Sequence, residues 1–249
     1  MSNRDRSFKS LVGSHNYNLA TSDSDVDYMT FVYPNFDDLY KGVFVKETSI
    51  TDWEDIAVHD VRKIPEYLYK SSPTFLEILF SERTVLHDSL FQELKDVRND
   101  IVTMNLPRLF ESSRGMFIQQ FKKAYDKHLK GGSHKEIGKS IASAFRLYLF
   151  LKSFAESEFS DFKNAIYFET GTKFQGSLMW LKLGKATEGE HLEYLRDLQE
   201  CEREINDKFK DKYRNNSVDE KTHRFVQDTV KSYVENHIRE QFEKKKGLF

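Results

Sequence analysis

All four prolines of this 249-residue chain (Pro34, Pro65, Pro73 and Pro107) fall within its first 107 residues, and the stretch beyond has none. Proline removes a backbone donor and breaks helix interiors, so it punctuates the first part and leaves long helices open to the second. Local patterns agree with that division. Val26–Tyr33 is rich in β-branched and aromatic residues and is stopped by Pro34, which reads as a strand. Gly42–Thr48 and Asp55–Val61 alternate as two more strands. Residues 4–12 read as a short helix leading to Gly13. Arg62–Lys70 places Ile64, Tyr67 and Leu68 on one helical face, with Pro65 tolerated in the first turn. Ser72 is a candidate N-cap ahead of Pro73.

From about residue 108 the pattern is helical. Ser133 or His134 opens a helix in which Ile137, Ile141, Ala144, Phe145, Tyr148 and Leu149 recur at helical spacing. Leu178–Leu183 reads as a helix closed by Gly184. A long helix is expected from roughly Thr187 to Lys212. The last, from roughly Val218 to Lys245, places Val226, Val230, Val234 and Ile238 four apart. The run Lys244–Lys246 suits a solvated helix C-terminus. The expected organisation is α+β: a small mixed sheet flanked by helices in residues 1–107, then an all-helical domain in 108–249.

Composition narrows the function classes. A net charge of −2 gives no global basic field of the kind that advertises nucleic-acid binding. The single cysteine, Cys201, excludes an internal disulfide framework and a cysteine metal cluster and suits a reducing cytosol, so a cytoplasmic location is expected. In Leu-Gln-Glu-Cys201-Glu-Arg-Glu it reads as a packed, inert thiol. No apolar run reaches the length of a membrane span, and the N-terminal stretch has no signal-type apolar core.

The stretch Leu11–Val32 carries the chemistry. A Gly13-Ser14 pair is followed by a loop of about ten residues. Then Asp25 and Asp27 flank Val26 at the head of an apolar run. Alternate residues of a strand share a face, so the two carboxylates project together. Such a pair can share two divalent cations, the arrangement used for in-line phosphoryl or nucleotidyl transfer. The Gly-Ser turn supplies N–H groups and a hydroxyl for phosphate oxygens. A calcium loop starting at Asp23 needs glycine at its sixth place and glutamate at its twelfth. Those places hold Tyr28 and Pro34, so that reading fails. A plain acidic turn is the remaining rival, and it leaves the Gly-Ser pair and the strand unexplained. A third carboxylate is expected on a neighbouring strand, where Asp55 and Asp60 are the candidates. Asp60 shares a face with Ile56 and Val58, expected core. Asp55 shares the other, expected open, with Ala57 and His59, which favours Asp55.

The string Gly13-Ser14-His15-Asn16-Tyr17-Asn18-Leu19-Ala20-Thr21, then Ser24-Asp25-Val26-Asp27, resembles the DNA polymerase β-like nucleotidyltransferase superfamily. It is most similar to a branch of bacterial and phage proteins associated with RNA repair. The resemblance extends through Asp55, Arg62 and Lys63 to Pro73, Glu77, Ile78 and Leu79, and loosely over 135–200. One departure is Tyr28-Met29, where related sequences carry Arg-Gly. The resemblance implies a metal-dependent enzyme moving an NMP from an NTP, such as ATP, to an acceptor hydroxyl with release of pyrophosphate. It implies two Mg²⁺ (or Mn²⁺) ions on Asp25, Asp27 and Asp55. Gly13, Ser14, His15, Asn16 and Lys63 are the expected nucleotide contacts. Lys139 and Arg146, seven apart on one helix face, join them from a helical domain closing the cleft. An RNA 3′ end is the favoured acceptor; a protein hydroxyl or a small molecule suits the same chemistry. The alternative class is a non-catalytic nucleotide- or partner-binding module, such as a toxin–antitoxin component.

Overall fold

The segment expected to form the first helix is instead a strand, β1 (Arg6–Val12). Its side chains alternate, and partners on both sides satisfy its backbone, so sheet pairing overrides the local helical reading. The computed structural model describes residues 4–51, 53–245 and 247. After β1 come β2 (Val26–Val32), α1 (Phe36–Tyr40), β3 (Lys46–Ile50), β4 (Glu54–Asp60), α2 (Ile64–Tyr69) and α3 (Pro73–Leu76). Next are β5 (Thr84–Leu86), α4 (Ser89–Asp96) and α5 (Arg98–Thr103). The strands form one five-stranded sheet in the order β3-β4-β2-β1-β5. β2 and β4 run parallel and every other pairing is antiparallel, so the sheet is mixed as expected.

β3 starts later than its alternation suggests. Gly42 adopts φ +64°, and Val45 and Asp60 bond to each other (Asp60 N–H to Val45 O, 3.1 Å; Val45 N–H to the Asp60 carboxylate, 3.3 Å). The first residues of that run are thereby spent on a turn.

The chain divides into two compact units. One holds the residues up to Asn16, Asp25–Met104 and those from Asp219 onward; the other holds Tyr17–Ser24 and Asn105–Val218. In the first unit, register puts Phe8, Phe31 and His59 on one sheet face. Tyr67, Phe75 and Phe91 from α2, α3 and α4 cover it, with ring centroids 4.2–6.5 Å apart. The opposite face carries a smaller cluster of Val32, Val45, Ile56 and Val58 with Tyr28. Ile56 and Val58 are therefore core as expected, but the Asp55–Ala57–His59 face is covered too at its His59 end.

The second unit contains α6 (Leu106–Leu129), α7 (His134–Glu156), α8 (Phe162–Ile166), α9 (Lys173–Lys182), α10 (Glu188–Glu204) and α11 (Lys210–Arg214). Ser133 and Glu136 form a reciprocal capping box at the start of α7, and Thr187 and Glu190 do the same for α10. The single helix expected over 187–212 is interrupted by a wide turn at Ile205–Phe209. Ile205, Phe209 and Tyr213, four apart, are all buried, and a wider turn keeps that spacing on one side. The core is aromatic: Phe162 meets the stacked pair Phe150 and Phe154 edge-on, and the Tyr213 hydroxyl donates to Leu151 O at 2.9 Å. Gly138 lets α7 touch the α9 backbone, since a Cβ there would lie 2.0 Å from Leu181 O.

The last helix, α12 (Glu220–Lys245), belongs to the first unit, where His223 stacks on Tyr69 of α2 at 4.0 Å. Lys246, the end of the cationic run, lies outside the described residues. Among the described residues no helix is long and apolar enough to cross a membrane.

Candidate active site

Parallel pairing of β2 with β4 sets Asp27 directly beside Asp55. Paired residues of adjacent strands project from the same face about 4.8 Å apart at the backbone. Both are partly exposed, because they stand at the strand starts, beyond the aromatic cover that buries His59. Asp25 stands just ahead of β2, exposed, next to Val26, whose N–H donates to Trp53 O at 3.2 Å. Among the described residues the side chains of Asp25 and Asp55 have no hydrogen-bond or ion-pair partner. Carboxylates set side by side repel one another unless a cation lies among them. That donor set suits hard divalent ions, which take oxygen ligands. As the side chains stand, no group of three or more His, Cys, Asp or Glu among the described residues closes into a metal cluster.

Asp60 is placed otherwise. It lies on the opposite face, fully buried, and accepts from the Arg62 backbone N–H, from Arg62 Nε and Nη2 at 2.9 and 2.6 Å, and from Val45 N–H. Its charge is spent on the turn after β4. Lys63 stands at that same end of the strand, five residues and more from Asp55, or about 16 Å or more at ~3.3 Å per residue. There it pairs with Glu66 at 2.8 Å and covers the Phe44 ring. The structure does not bring Lys63 to the carboxylates.

Gly13 closes β1 opposite Asp27, since Val12 pairs with Asp27. It adopts φ +72°, and a Cβ on it would fall 2.5 Å from Asp27 Oδ2. Glycine is required here twice over, by its backbone and by the carboxylate that fills the side-chain space. Gly13, Ser14 and His15 form a single 3₁₀ turn, with Ser14 and His15 half-buried. The Gly13 N–H, expected to face phosphate, donates to Glu77 Oε2 at 3.2 Å, and Asn16 Nδ2 donates to the same oxygen at 3.0 Å. Glu77 was legible only as part of the family resemblance. Its signal was a lone acid inside the apolar run Phe75-Leu76-Glu77-Ile78-Leu79-Phe80.

The remainder of the motif loop belongs to the second unit. Asn18 adopts φ +61° and donates to Phe168 O at 2.8 Å and Thr170 Oγ1 at 2.9 Å. Tyr17 is buried, and the Arg146 guanidinium lies over its ring at 4.3 Å. Lys182 Nζ donates to Leu19 O. Asp23 pairs with Lys135 at 2.7 Å, and that hydrogen bond, with one from Ser22 and the Lys135 charge, holds its carboxyl below the ordinary range. Lys139 is exposed on α7 and adds to the positive field at Asp23. Lys135 and Lys182 were absent from the sequence expectations. Only spatial proximity reveals them, since they come from two separate helices.

The profile of the RlaP family, described as the RNA repair pathway DNA polymerase beta family, matches residues 7–245. No curated protein matches the chain.

Proposed function

The chain belongs to the RNA repair pathway DNA polymerase beta family, and from that premise we propose that it is a metal-dependent nucleotidyltransferase. The observation that carries this reading is the Asp27–Asp55 strand pair, with Asp25 beside it and Gly13 packed on Asp27. Asp25, Asp27 and Asp55 would hold two Mg²⁺ or Mn²⁺ ions, which when bound neutralise the phosphate charge that builds up in the transition state. The acceptor oxygen bonds to the α-phosphorus of an NTP, the bond to the bridging oxygen breaks, and pyrophosphate leaves. Asp55, whose side chain has no partner among the described residues, is available to take the acceptor proton. Ser14 would contact the phosphates, and His15 and Asn16 would shape the turn. Catalysis is then mostly positioning and charge neutralisation.

We favour an RNA 3′ hydroxyl as acceptor, because RNA repair is part of the family's description. The test uses α-labelled NTP, Mg²⁺ and RNA with a free 3′ hydroxyl. The parent should attach the label, and the Asp25→Asn/Asp27→Asn double variant should not. Equal labelling by both proteins would overturn the reading. Nucleotide binding by calorimetry without pyrophosphate release would instead mark a binding module.

A further inference from the structure

We propose that Glu77 is a positioning residue that clamps the Gly13–Asn16 turn against Asp27; this role rests on the nucleotidyltransferase reading. Glu77 is about 1% exposed, and a carboxylate so placed must be met by donors. Two of them, the Gly13 N–H and the Asn16 side chain, come from the turn that follows β1. Glu77 cannot swing away, because Leu76, Ile78 and Leu79 on either side are fully buried. One oxygen therefore fixes both ends of a four-residue turn.

The other side of the turn faces the carboxylate pair. Gly13 rests so closely on Asp27 that a methyl group would not fit between them. Moving the turn moves what Asp27 packs on. The order is a chain of contacts: buried helix, Glu77, turn, Asp27, Asp55. Because the Gly13 N–H is committed to Glu77, Ser14 is the residue of the turn left to meet a phosphate. Glu77 touches neither nucleotide nor reacting atoms in this arrangement; it acts through the turn.

The experiment measures pyrophosphate release from an equimolar mixture of the four NTPs, with Mg²⁺ and RNA bearing a 3′ hydroxyl. The proteins are the parent, N16A, E77Q, E77A, N16A/E77A and D25N/D27N, each with its melting temperature recorded. Leaving buried donors unpaired predicts a rise in nucleotide KM of about ten-fold in E77A, with a smaller rise in N16A. The double variant should be no worse than E77A, since both remove the same interaction. E77Q keeps an acceptor oxygen and should recover most of the loss in KM. A merely structural glutamate would lower the melting temperature and leave KM and kcat of the folded variants at parent values. That result in N16A and E77A, or additive effects in the double variant, would overturn the proposal. Turnover by D25N/D27N equal to the parent, or none by the parent, would strike the underlying reading and the role of Glu77 with it.

Discussion

Asp55 and Asp60 stand on one strand with opposite surroundings, and the difference predicts how each behaves when its charge is removed. Asp55→Asn should abolish nucleotidyl transfer and leave the melting temperature unchanged, because its side chain has no partner among the described residues to lose. Asp60→Asn should do the reverse to stability, stranding Arg62 beside a neutral group. Breaking a buried pair of this kind costs about 3 kcal/mol, readable by denaturant unfolding. Gly13→Ala should both strain the backbone, by roughly 1–2 kcal/mol for a left-handed non-glycine, and push on Asp27. Transfer should fall more than stability does. Cys201 is buried, and burial followed by the charge of Glu204 pushes its thiol up to about 12. It should react with a disulfide reagent at pH 8 only after denaturation; rapid labelling of the native protein would contradict this.

At the scale of elements, the caps were readable and the long-range pairings were not. Ser133, Thr187 and Gly184 stand where helix-boundary chemistry puts them, since capping is decided within a few residues. Ser133→Ala should lower stability by about 1 kcal/mol, measured as a drop in melting temperature, with no change in transfer. β1 was misread as a helix because its partners come from residues 26–32 and 84–86, and no local signal reports them. β5, three residues long, left no pattern at all. The wide turn at Ile205–Phe209 was equally hidden, because a spacing of four suits both a regular and a widened helix. Within the candidate site, Asp25 and Asp27 were singled out by the Gly-Ser turn and alternation, although Asp25 stands just ahead of β2 and not in it. The preference for Asp55 rested on an expected open face, whereas the structure distinguishes it by register with Asp27 and by position at the strand start. Lys135, Lys182 and the contacts of Glu77 required three dimensions.

Across the whole molecule, each unit buries a histidine that folding keeps neutral. His59 sits among Phe31, Tyr67 and Phe75, and burial, then the Lys46 charge, lowers its pKa. His191 is fully buried with neither ring nitrogen bonded among the described residues. Burial, then His134 and His128, lowers its pKa against the opposing charges of Glu190 and Glu188. The unfolded imidazoles take up protons near pH 6.5, and the folded ones only at lower pH. Stability should therefore be full above about pH 7 and fall as the pH drops through 6 toward the folded values. Thermal melts between pH 8 and 5 check this, and His191→Leu should flatten the acid side of the curve. These effects are separate from the chemistry proposed for the carboxylates. That claim is met most directly by pyrophosphate release from an NTP, with Mg²⁺ and RNA ending in a 3′ hydroxyl, by the parent and by Asp27→Asn/Asp55→Asn. The prediction is turnover by the parent and a loss of at least about 100-fold in the folded variant, as expected when groups neutralising transition-state charge are removed. Equal release by the two proteins would contradict it.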